Sequence, residues 1–164
     1  MIILSVDSSA VAASASLTQG DKILGEFYCN TGLTHSQTLM PMIQCLLQST
    51  KTELKDVDLF AVSAGPGSFT GIRIGVASIK GLAFPFQKPC VGVSTLEAMA
   101  YNLAHIDGTV CAVMDARCGQ VYNAVFEAHH GQLRRITKDR AIATNNLAEE
   151  CEKYPKPLFL VGDG

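Results

Sequence analysis

The chain has 164 residues, 48% of them apolar and 17% charged, a balance that supports a real hydrophobic core and excludes a disordered segment. Its formal net charge of −2 excludes a global basic field able to hold nucleic acid by its phosphates. The six cysteines, Cys29, Cys45, Cys90, Cys111, Cys118 and Cys151, contain no C-x-x-C pair, which disfavours a disulfide framework and a zinc cluster alike.

Met1 to Asp7 has no basic n-region and reaches an acid after six residues. It reads as a first strand, not a signal peptide, and no run approaches transmembrane length, so a cytoplasmic protein with no membrane partner is expected. Ala12 to Thr18 and Lys22 to Tyr28 form a hairpin around Gln19-Gly20-Asp21. A helix follows from about Ser36 to Gln48, then a buried strand at Leu59 to Ala64, a glycine-rich turn, and a second helix to Phe84. Pro89 to Val93 is the next strand. Thr95 to Ala104 is a third helix, with Ser94 or Thr95 as its cap and Glu97 in its first turn.

After Ile106-Asp107-Gly108 the pattern begins again. Val110 to Met114 ends in Asp115, as the first strand ends in Asp7. Gln120 to Ala128 and Gln132 to Ala143 make a hairpin around His130-Gly131, a helix capped by Thr144 or Asn145 runs to about Tyr154, and Pro157 to Val161 is a strand. This is a duplicated βββαβα unit, an α/β architecture with a first lobe over 1–107 and a second over 108–164. The second copy lacks its last helix, so a truncated second lobe is expected.

The turn Gly65-Pro66-Gly67-Ser68-Phe69-Thr70-Gly71-Ile72-Arg73-Ile74-Gly75 carries most of the information. A strand end, a glycine turn and a helix amino terminus can seat an anion, because free N–H groups and the helix dipole converge there. The same residues can equally form a tight turn that binds nothing; no lysine follows to reach a phosphate. Asp7 and Asp115 have two readings as well, acids beside a nucleotide or caps that bond their own strand ends. Arg134, Arg135, Lys138 and Arg140 read as a solvated strand edge.

Apolar residues sweep about 220° of the first long helix, against the roughly 100° needed to pack on one sheet. The second is interrupted only by Arg73 and Lys80. Both helices therefore suit a partner surface, or else they lie deep in a large core. Arg73 reads as a partner-facing guanidinium for a carboxylate or phosphate, or as solvated surface. No G-x-S-x-G elbow and no H-E-x-x-H motif is present. His129 and His130, adjacent on a strand, should point to opposite faces, and no metal site is expected.

The eleven-residue glycine run, Asp7-Ser8-Ser9, Thr34-His35-Ser36 with Leu39 and Pro41, Gly92 to Ala98, and Asp115-Ala116-Arg117 with Val121-Tyr122 occur in one order. In that order they resemble the TsaB (YeaZ) family, from Met1 to about Tyr122 and more weakly beyond. The resemblance implies the fold of the actin, sugar-kinase and Hsp70 ATPase superfamily. It also implies a non-catalytic subunit of tRNA threonylcarbamoyladenosine modification. That subunit would pair through the helices at 36–48 and 70–84 with a TsaD-like catalytic protein, or with itself in isolation. A TsaE-like ATPase would be a third partner, and tRNA would be met only through the complex. The partner-facing residues are then His35, Leu39, Met42, Ile43, Leu46, Ile72, Arg73, Gly75, Val76 and Ile79. Asp7, Ser8, Gly65, Gly67 and Asp115 are the nucleotide-proximal candidates, with no cofactor held tightly and ATP or ADP met at the level of the complex. TsaD proteins carry a metal-binding H-x-x-x-H pair; here Leu39 stands four residues after His35, so the second ligand is absent. An ATP-dependent phosphotransferase or glycoprotease-like peptidase of the same superfamily is the alternative, and a homodimeric structural protein is a third.

Overall fold

Leu4 and Val6 are buried on β1 (Ile2–Asp7), and the first sheet is laid out on both sides of that strand. The computed structural model describes Met1–Gly164, in two units, Met1–Val93 and Ser94–Gly164. In the first, β1 pairs antiparallel with β2 (Ala13–Gln19) and parallel with β4 (Leu59–Gly65). With β3 (Lys22–Cys29) and β5 (Cys90–Ser94) the order is β3-β2-β1-β4-β5. Ala13, Ala15 and Leu17 of β2 are buried while Ser14, Ser16 and Thr18 are half-buried, the period-two pattern of a strand with one face in a core.

Helix α1 (His35–Thr50) packs on β2 and β3, and α2 (Phe69–Ala83) packs on β4 and β1. Their inner residues join Leu4, Leu17 and Phe60 in one core. Gly25 of β3 lets α1 come close, because a Cβ there would stand 2.8 Å from Leu46 Cδ1. At its end Lys51 turns left-handed, and its N–H bonds the Gln48 and Leu47 carbonyls.

The second unit repeats the order. β6 (Gly108–Arg117) pairs antiparallel with β7 (Gln120–His129) and parallel with β10 (Leu158–Gly162), as β1 does with β2 and β4. The strand expected over 132–143 is two strands, β8 (Gln132–Arg135) and β9 (Arg140–Ala143), both paired with β7. The break has a local cause: the Ile136 and Thr137 amides both donate to the Val125 carbonyl, and the Val125 amide donates to Thr137 Oγ1 at 2.8 Å. Buried Asn123 donates to the Ala112 carbonyl at 3.1 Å and accepts from Arg140. Arg140 in turn pairs with Glu150 on α4 (Thr144–Cys151).

Four further expectations change. The units divide after Val93, not after 107, because α3 (Thr95–Tyr101) packs on β6, β7 and β10. That helix stops three residues early because the amides of Asn102, Leu103 and Ala104 bond carbonyls three residues back, a tightened last turn. Ser94 caps it as expected, accepting from the Glu97 amide at 3.2 Å. Thr144 is the first helical residue of α4, not its cap, and its hydroxyl donates to the Gly119 carbonyl. Lastly, His129 and His130 do not point to opposite faces. His130 (φ 51°) and Gly131 (φ 81°) form the turn between β7 and β8, so the strand alternation breaks there and the two rings stand 3.9 Å apart.

No helix is long and apolar enough to cross a membrane. Cys111 is fully buried on β6, 4.0 Å from the sulfur of Cys151. Burial, with Cys151 beside it, pushes the Cys111 thiol up to about 12, so it stays protonated and unreactive. Exposed Cys45, Cys90 and Cys118 should therefore react with iodoacetamide at pH 8 in the folded chain, and Cys111 only after unfolding. Peptide mass mapping checks this; early labelling of Cys111 would contradict the packing around it.

Candidate partner interface

Between β4 and α2 the backbone turns through Gly65 (φ 112°) and Gly67 (φ 153°), conformations that favour glycine. Ser68 closes the helix, its Oγ accepting from the Gly71 amide at 3.2 Å. The loop is tied to the end of β1: the Ser68 amide donates to the Ser9 carbonyl at 2.6 Å, and the Ser8 hydroxyl donates to the Gly71 carbonyl at 2.8 Å. A Cβ at Gly67 would lie 2.5 Å from the Ser9 carbonyl oxygen. At Gly71 it would collide with the Ser8 carbonyl, and at Gly75 with the Ser8 hydroxyl. These three glycines let one backbone rest on another. His35 joins the same junction, its Nε2–H donating to the Ala10 carbonyl at 2.8 Å.

The residues expected near a nucleotide are largely engaged within the chain. Asp7 Oδ1 accepts from the Ser9 amide at 2.7 Å and the Ser9 hydroxyl at 2.6 Å. Asp115 Oδ1 likewise accepts from the Arg117 amide at 2.7 Å. Each carboxylate caps its own strand end, and Ser8 is fully buried. In the loop itself the amides of Ser68, Gly71 and Ile72 all have partners inside the chain.

The residues expected to face a partner divide into two sets. Leu39, Met42, Ile43 and Leu46 form the buried stripe of α1, and Gly71, Gly75, Ile79 and Ala83 that of α2. Leu39, Met42, Ile43, Leu46, Gly75 and Ile79 therefore leave the partner-facing set. A sheet face needs one stripe from each helix, and spacings of three and four residues put these side chains on it. Arg73 is exposed, whereas His35, Ile72 and Val76 are half-buried.

What the outer surface carries instead is Phe69, 74% exposed, and Phe84, 84% exposed, at the two ends of α2. Arg73 and Ala77 lie between them at four-residue steps, and the Arg73 guanidinium carbon stands 5.0 Å from the Phe69 ring centroid. On α1 the exposed apolar residue is Met40, with Pro41 and Cys45 also exposed. Phe69 and Phe84 were missed as interface candidates, although the 69-73-77-84 spacing in the sequence marks one helix face.

A model of the family described as TsaD, tRNA N6-adenosine threonylcarbamoyltransferase, matches residues 30–157. The chain is 32% identical over 162 residues to the tRNA threonylcarbamoyladenosine biosynthesis protein TsaB of Bacillus subtilis, spanning 99% of this chain and 71% of that relative. Its structure is similar to YeaZ from Pseudomonas aeruginosa, with a TM-score of 0.79 at 30% identity over 95% of this chain and 70% of the other. The ROK hexokinase from Thermus thermophilus shares the fold alone, with a TM-score of 0.50 at 13% identity over 85% of this chain and 50% of that one.

Replacing Gly71 by valine should destabilise the chain by about 3 kcal/mol, near the upper end for overpacking, because the Ser8 backbone must retreat and its hydroxyl bond is lost. Urea unfolding of the two proteins measures this. A midpoint within error of the parent would mean that the end of β1 does not rest on α2.

Proposed function

The chain belongs to the TsaB (YeaZ) family, and from that membership we propose that it is a non-catalytic subunit that holds a TsaD-like protein in its active conformation. The observation that carries this is the outer face of α2, where two almost fully exposed phenylalanines flank an arginine. Aromatic residues and arginine are enriched at protein interfaces, and isolated phenylalanines gain nothing from water. The TsaD-like partner would transfer the threonylcarbamoyl group to the adenosine 3′ to the anticodon in tRNAs that read codons starting with A. This chain would contribute by population shift, binding the competent state of its partner more tightly than the other.

In isolation the same face would pair two copies of the chain. A TsaE-like ATPase is the further partner, ATP or ADP is met at the level of the complex, and tRNA is reached through the complex, all in the cytoplasm. The net charge of −2 accords with indirect contact to tRNA. The reading as a phosphotransferase or peptidase has less support. Asp7 and Asp115 are spent on capping, and His35 donates to a backbone carbonyl instead of facing a nucleophile.

A carboxylate at Ala77 or Phe84 would be buried unpaired in such an interface. Ala77→Glu and Phe84→Asp should each weaken association with a TsaD-like protein by about ten-fold or more and lower tRNA modification in parallel. Both positions are exposed in the chain, so the fold should survive, which circular dichroism checks. Pull-down and light scattering measure the association; folded variants that pair as the parent does would remove α2 from the interface. Arg73→Ala then separates two roles. Weakened pairing assigns the guanidinium to a carboxylate of the partner, and lost modification with pairing intact assigns it to a phosphate. No effect on either leaves it as solvated surface.

A further inference from the structure

Asp107, His129 and His130 come together at one end of the second sheet. The register of β6 with β7 pairs Gly108 with Ala128, which sets Asp107 beside His129, the last residue of β7 before the turn. Asp107 Oδ1 accepts from the His130 amide at 2.9 Å and lies 3.5 Å from His129 Nδ1. These contacts lower the Asp107 pKa, the His130 amide bond being the largest cause, and keep it an acceptor. Because His130 is left-handed, its ring turns to the side of its neighbour, and one donor atom from each of the three residues lies within 4.8 Å of the others.

We propose that these three side chains form a site for a divalent transition-metal ion of the zinc, nickel or copper type. Two imidazoles and one carboxylate are the ligand chemistry such ions prefer, whereas calcium and magnesium would require oxygen donors throughout. Ligands at ordinary zinc distances stand about 3.3 Å apart, so the side chains must close inward. All three are exposed. Three protein ligands leave the remaining positions to water. The ion would clip the start of β6 to the β7–β8 turn, and it would bind the folded chain but not the unfolded one, raising the melting temperature. Nothing in this requires the pairing through α2.

The test uses the full chain with its accessible cysteines alkylated, since Cys45, Cys90 and Cys118 are exposed thiols, a side chain that ligates zinc in its own right. Zinc chloride is titrated while the imidazole carbon and proton signals of the four histidines are followed by NMR. The signals of His129 and His130 should move together and saturate at one equivalent, with His35 and His105 as unmoved controls. His129→Ala and His130→Gly should each weaken binding at least ten-fold and abolish the rise in melting temperature; glycine keeps both the left-handed turn and the amide that bonds Asp107. Asp107→Asn, which still offers an acceptor to that amide, should weaken binding as well. The site is overturned if the two rings stay unmoved at ten-fold excess zinc, or if His130→Gly binds as tightly as the parent.

Discussion

The end of β1 rests directly on the backbone of α2, and the arrangement of the first unit depends on that approach. Only glycine at 67, 71 and 75 leaves room for Ser8 and Ser9. With the gap closed, the Ser8 hydroxyl finds the Gly71 carbonyl and the Ser68 amide finds the Ser9 carbonyl. Each bond adds about 1 kcal/mol net, but leaving such a buried group unpaired costs roughly 1–3 kcal/mol. His35 brings the start of α1 to the same point through Ala10. One strand end thus sets the position of both helices.

Once α2 is seated by its glycine face, its opposite face is fixed too. Gly71, Gly75, Ile79 and Ala83 turn inward, so Phe69, Arg73 and Ala77 turn outward, with Phe84 just beyond the helix. The small inward residues bring the helix axis close to the sheet, while the aromatic area that would ordinarily fill a core stands in water. It is this exposed face that the proposed pairing would cover. The glycine loop acts here through position: it orients a helix whose outer side exposes two phenylalanines and an arginine.

The second unit solves the same topology with different interactions. Its strand end is capped by Asp115 as the first is by Asp7, but its core contains polar joints. Asn123 is fully buried and connects β6 to Arg140. Arg135 reaches both Glu97 and Asp139 and lies 4.7 Å from the Phe126 ring centroid. The basic residues that look like a cluster in the sequence are largely neutralised here, since Arg134, Arg135 and Arg140 each have an acidic partner. Such joints are sensitive to the loss of one member, because the other is left with an unmatched charge or donor.

Strand alternation, the turn residues and the glycine motif were legible in the sequence because they are local: period two, positive φ and a serine cap act over a few residues. From them came the duplicated topology, Ser94 as one of two candidate caps of α3, and the two helices as the elements of interest. Which face of each helix points outward was not legible, since apolar residues cover more of both than one packing stripe needs and only the sheet selects the stripe that is buried. That selection moved Leu39, Met42, Ile43, Leu46, Gly75 and Ile79 into the core and left Phe69 and Phe84 outside. The break between β8 and β9 and the convergence of His129, His130 and Asp107 were equally hidden. The first arises from bonds to Val125, a residue of another strand. The second requires a left-handed histidine beside an aspartate twenty-three residues away, a proximity that only the register of β6 against β7 creates.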